Sequence, residues 1–192
     1  MGRRPVWARP GTLRGMGVLF DYFAAGSDDA AAAVLDRVGG PGSRDVLVVD
    51  ADAQPGPGGR APLPTFVTDE SLPVYDTVEL KGIDPVVMLG TVGSLLAGVT
   101  FDDLLEDARH GEVLAERDEG ALMVWTVSDI LAAALADADP ATLARAAVPW
   151  SQTDELRGWS TPADLTQVLE LLAGLARRAR DGGLRLYCWI CV

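Results

Sequence analysis

Hydrophobic residues recur along the chain in two periods, and the switches between them mark the elements. A β-branched and aromatic run from Val18 to Phe23 reads as a strand. It leads to Ser27, an N-cap residue, with Asp28 and Asp29 in a first helical turn and apolar positions at 31, 34, 35 and 38. That stripe predicts an amphipathic helix, which Gly39 to Gly42 stops. Val46 to Val49 reads as a buried strand, the Pro- and Gly-rich stretch from Ala53 to Pro64 as a surface loop, and Val74 to Leu80 as a further extended segment.

Asp84 followed by Pro85 sets an N-cap before a proline at the first helical position, and Val86 to Ala97 is apolar on nearly every face. A buried central helix is expected there. Gly90 and Gly93 inside it predict close approach of another backbone. Thr100 and Asp103 form a capping box for a short acidic helix ending near His110 and Gly111, after which Ala121 to Val127 reads as a strand. Ser128 caps a helix with apolar positions 130, 131, 134, 135 and 138, and Asp139 with Pro140 opens another. Trp150 to Trp159 is an irregular connection. Thr161, Pro162 and Asp164 open the best helix of the chain, with Leu165, Val168, Leu169, Leu172, Leu175, Ala176 and Ala179 on one stripe. Arg177, Arg178 and Arg180 complement its C-terminal dipole, Gly182 and Gly183 stop it, and Leu184 to Val192 is a terminal strand.

Strands and helices alternate without regular βαβ repetition, which favours α+β: a small mixed sheet packed by amphipathic helices, with a buried central helix and a long C-terminal helix before the last strand. Because both ends are apolar, the first and last strands are expected in one sheet with the helix 162–181 across it. At 192 residues, 48% hydrophobic, the length fits a single α+β domain over 16–192. Residues 1–15 hold Arg3, Arg4, Arg9 and Arg14 and no acid, and Met16 directly precedes the first strand. They read as a disordered basic arm or a mis-annotated start.

Charge changes the picture most. Asp and Glu number 28 against 16 Lys and Arg, a net charge of −12, and Lys81 is the only lysine. Asn is absent, a residue usage typical of GC-rich, for example actinobacterial, genomes. Such a field repels phosphate backbones and anionic lipid, so nucleic-acid and membrane partners are disfavoured and a basic protein is the preferred one. The apolar stretches are too short for the ~20 residues of a membrane span, and the one after Arg3 and Arg4 is interrupted by Asp21, so a cytoplasmic location is expected.

The start from Met16 through Phe20, Asp21, Tyr22 and Phe23 to Ala24, the strand and helical pair from Leu122 to Trp150, and the long helix Leu169 to Arg180 passing through Gly182 and Gly183 into a final strand form three patches. Together they resemble the YfbM-like (DUF1877) family of bacterial proteins of unknown function. Arg44 to Gly98 departs from that pattern, as in an actinobacterial variant. The resemblance implies a compact cytoplasmic α+β domain and no activity.

His110 is the only histidine, which removes two-His metal sites, and its place after an acidic helix predicts a cationic C-cap. Cys188 and Cys191 lie three apart in a strand, so alternation turns them to opposite faces and makes them structural rather than a redox pair. No metal or other cofactor is expected. Asp50 and Asp52 after the strand at 46–49 resemble the D-x-D nucleophile motif of haloacid-dehalogenase-type phosphatases, with Lys81 on the phosphate and Asp102 and Asp103 for magnesium. Against this, a Pro/Gly loop follows the motif, and an Asp at a strand end commonly makes a turn.

The remaining candidates are binding residues: Glu79, Lys81 and Asp84 beside the central helix, and Trp150 and Trp159 flanking a loop. Glu79 and Lys81 sit two apart on one strand face, and Asp84 doubles as an N-cap. The reading is a non-enzymatic, immunity-type interaction module for a basic protein, with a magnesium-dependent phosphatase-like hydrolase using Asp50 and Asp52 as the alternative.

Overall fold

The computed structural model describes residues 17–49 and 63–192. The arm at 1–15, the pair Asp50 and Asp52, and most of the loop expected from Ala53 to Pro64 lie outside them.

The fold is α+β. Five strands form the main sheet: β1 (Leu19–Ala25), β5 (Thr77–Lys81), β6 (Val113–Arg117), β7 (Leu122–Thr126) and β8 (Arg185–Cys191), in spatial order β5-β1-β8-β7-β6. The first and last strands are neighbours, Phe20 opposite Ile190 and Phe23 opposite Tyr187. Every pairing is antiparallel, so the sheet is not mixed: each helical connection returns the chain beside a strand running the other way.

Alternation along the strands gives the sheet two unlike faces. Phe20, Tyr22 and Ala24 of β1, Val78 and Leu80 of β5, and Leu186, Cys188 and Ile190 of β8 meet a helical layer. That layer holds α2 (Val87–Ala97), α4 (Asp129–Asp137), α5 (Pro140–Trp150) and α6 (Pro162–Asp181). The α6 stripe from Leu165 to Ala179 is buried against the sheet, and its Thr161/Asp164 capping box is formed. Asp84 caps α2 by accepting from the backbone N–H groups of Val86 (3.0 Å), Val87 (2.7 Å) and Met88 (3.2 Å). α2 buries one face, including Leu89 and Val92, and leaves Val87 and Leu95 exposed.

The short helix α3 (Phe101–Leu105) shows why α2 carries two glycines. A Cβ on Gly90 would lie 2.6 Å from the Phe101 ring and 3.0 Å from His110, and one on Gly93 would lie 3.0 Å from Leu104. Side chains, not the expected backbone, occupy that space.

The other face of the sheet is only partly covered. The helix expected from Ser27 to Val38 is cut short: α1 (Asp28–Ala32) passes into a 3₁₀ turn at Ala33–Asp36 and then strand β2 (Arg37–Val38). The extended exit buries Arg37, whose guanidinium donates to the Ser43 carbonyl (3.1 Å) and the Pro73 carbonyl (2.6 Å) and stacks on Tyr75. With β3 (Asp45–Val48) and β4 (Thr65–Thr68), β2 makes a second, three-stranded sheet in the order β2-β3-β4. β3, expected to be buried, is half-buried to exposed, because its main neighbours among the described residues are the strands β2 and β4 beside it rather than a helix over its face.

Candidate functional site

Asp21 is the anomalous residue of the open face. Period-two alternation places it between Leu19 and Phe23 on the side away from the helices, in a row running Glu79, Asp21, Trp189, Val124 and Ala115 across all five strands. Asp21 is nine-tenths buried, and no described residue donates a hydrogen bond to its carboxylate. Its pKa is pushed up to about 6, first by burial and then by the charge of Glu79 directly opposite on β5. Glu79 is exposed at the margin of the face.

Trp189 closes the other side of Asp21. Its indole is buried under Gly40, where a Cβ would come within 3.0 Å of the ring; the left-handed φ of +77° at Gly40 makes the approach accessible to glycine. The Trp189 indole Nε1–H is buried without a partner. The apolar cover of Ala31, Val34, Leu35 and Tyr75 extends over Phe23, Tyr187 and Trp189, so the carboxylate pair sits at its border.

Of the residues singled out in the sequence, Glu79 and Lys81 share this face, Lys81 lying opposite Leu19 and Glu79 opposite Asp21. Asp84 does not join them, since it is consumed in capping α2 on the helical side. Trp150 is fully buried in the helical core and offers no contact surface, whereas Trp159 is 86% exposed in the turns before α6. The two tryptophans therefore form no common patch. Asp103 accepts from the Thr100 N–H (2.9 Å) and hydroxyl (2.7 Å) at the start of α3, which holds its carboxyl below the usual range. Asp50 and Asp52 lie outside the described residues. Asp21 was missed as a site residue, although an acid in the middle of a β-branched and aromatic strand was the available signal.

His110 is not a cationic helix cap. α3 ends at Leu105, and the His110 ring meets Phe101 edge to face at 6.1 Å, where burial lowers its pKa against the opposing charges of Asp107 and Asp84. A separate polar cluster ties this loop to the sheet: Asp28 accepts from Arg109 (2.9 Å) and from the Tyr187 hydroxyl (2.8 Å), and Arg109 also faces Asp129 (3.5 Å). The cluster is held by ion pairing as much as by hydrogen bonds, since Arg109 Nε and Nη2 are buried without a hydrogen-bond partner. Cys188 and Cys191 are free and lie on opposite faces, the buried Cys188 thiol pushed up by desolvation. Among the described residues no group of three His, Cys, Asp or Glu side chains could hold a metal ion, and no helix is long and apolar enough to cross a membrane.

No protein-family model matches the chain, and comparison with curated proteins and with solved structures finds no match.

Proposed function

We propose that this chain is a non-enzymatic, immunity-type module of the cytoplasm that binds a basic protein, with Asp21 and Glu79 receiving an arginine or lysine of the partner. The observation that supports it is the uncompensated carboxylate pair on a rigid sheet face. Two acids side by side, neither in an ion pair among the described residues, repel each other, and an incoming guanidinium with its planar fork of donors removes that repulsion while making charge-assisted hydrogen bonds. The net charge of −12 adds long-range attraction for a basic partner and opposes nucleic acid. Remote membership of the YfbM-like family is part of the same proposal.

The test is capture from a native lysate by the wild-type chain and by two double variants of equal charge change, Asp21→Asn with Glu79→Gln, and Asp154→Asn with Glu155→Gln in the exposed turn before α6. Capture of a basic protein at low salt, its release at high salt and its loss in the first double variant alone are expected. Capture that survives the first double variant, or falls equally in both, overturns the assignment.

A further inference from the structure

The small sheet, not the acidic face, gathers several exposed apolar side chains on adjacent strands. Phe66 is 66% exposed, Leu47 48%, Val67 45% and Val48 44%. The register sets Leu47 opposite Phe66 and Val46 opposite Val67, so alternation puts Leu47 and Phe66 on one face and Val48 and Val67 on the other. Sheets this small need a covered apolar face to be stable, and this one shows apolar side chains to solvent on both.

Among the described residues, strand β4 is the free edge of that sheet. Edge strands are usually blunted by charge, yet Thr65, Phe66, Val67 and Thr68 carry none, in a chain that is 23% charged. The Asp69 N–H donates to the Arg44 carbonyl at 2.9 Å, so the main-chain groups of Val67 and Thr65 also point to β3 and those of Phe66 and Thr68 point outward. An antiparallel partner strand must set outward groups against outward groups.

We propose that a second copy of this chain docks on β4 by antiparallel edge pairing about a two-fold axis at Phe66, joining the two small sheets into one of six strands. Phe66 then faces Phe66 of the other copy, Thr65 faces Val67, and Thr68 faces Pro64, which has no N–H and ends the ladder. Charge selects this occupant. Asp69 falls opposite Leu63 of the other copy, so no like charges are juxtaposed, whereas a parallel pairing would set Asp69 beside its own copy. A basic partner gains nothing from a strand without acids. The interface is isologous, as a two-fold dimer requires.

Sedimentation velocity of the full chain over a range of concentrations tests this. A reversible dimer is expected, strengthened by salt because two chains of net charge −12 repel at long range. Salt weakens the basic-partner complex, so the two readings fail independently. Phe66→Lys and Phe66→Glu each put like charges face to face and should weaken the dimer roughly tenfold or more. Mixing the two variants in equal amounts should restore it, while Leu171→Lys on the exposed side of α6 should leave it unchanged. A wild-type chain that stays monomeric at all concentrations, single variants that dimerise as wild type does, or a mixture that fails to recover overturns the proposal.

Discussion

Asp21 and Glu79 face each other directly across the β1–β5 pairing, and neither makes a salt bridge among the described residues. A carboxylate nine-tenths buried beside another costs stability when both ionise, so its presence gives the fold a measurable pH dependence.

The folded Asp21 pKa is raised from 3.8 to about 6, so the native state holds this proton more tightly than the unfolded chain. The stability this contributes is fully present below about pH 4 and is lost as pH rises through about 6. Asp21→Asn should therefore stabilise the protein at pH 7.5 by about 1–2 kcal/mol, after allowance for solvent screening at the border of the apolar cover, and have little effect at pH 4. Urea unfolding of both proteins at the two pH values reads the difference; a substitution effect independent of pH would refute it.

Tyr187→Phe removes the 2.8 Å hydrogen bond to Asp28 and should cost about 1 kcal/mol at pH 7. The Asp28 carboxyl is held below its usual range first by this hydroxyl and then by Arg109, so its contribution is present above pH 4 and is lost as pH falls through the folded value. The cost of Tyr187→Phe should shrink correspondingly in acid, which paired thermal melts at pH 7 and pH 3 would show.

Gly90→Ala sets helix propensity against space. The new Cβ meets Phe101 at 2.6 Å, and overpacking of that kind costs about 1–3 kcal/mol against a gain near 1 kcal/mol from replacing a helical glycine. A net loss is expected, relieved when Phe101→Leu is added. If the two substitutions proved additive in a double-mutant cycle, the contact would not be the cause.

The thiols should differ sharply in reactivity. Cys191 is half-buried and Cys188 is fully buried with its pKa raised, so a thiol reagent should label one cysteine per native chain and both after denaturation. Mass spectrometry of the labelled peptides assigns which one reacts.

Local signals accounted for much of the fold. Ser27, Ser128, Asp139 and Thr161 each cap the helix that their place in the sequence implies, and the period of α6 identified its buried stripe. Three strands are not legible: β2 falls in the stretch that reads as the end of a helix, and β6 and β4 carry too little signal. β6 is short and carries Glu116 and Arg117 at the sheet edge, and its hairpin turns through Asp118 and Glu119 at positive φ, a conformation their identities advertise weakly. β4 shows no burial pattern because all four of its residues are exposed.

The sequence by itself determined the α+β class, the caps, the apolar termini and the opposite orientations of Cys188 and Cys191, since each depends on neighbours a few residues away. Only the tertiary structure decided the partners of groups distant in the chain. The arginines ending α6 are legible as complements of a helix dipole, yet Arg177 in fact donates to the Ala136 (3.1 Å) and Ala138 (2.5 Å) carbonyls at the end of α4, and Arg178 binds Asp76 through two bonds. Glu79 was visible as a charge on a strand, but what gives it meaning is Asp21, 58 residues earlier, brought opposite by the β1–β5 register. That register is set by which face of each strand is apolar, a condition satisfied only when the strands meet.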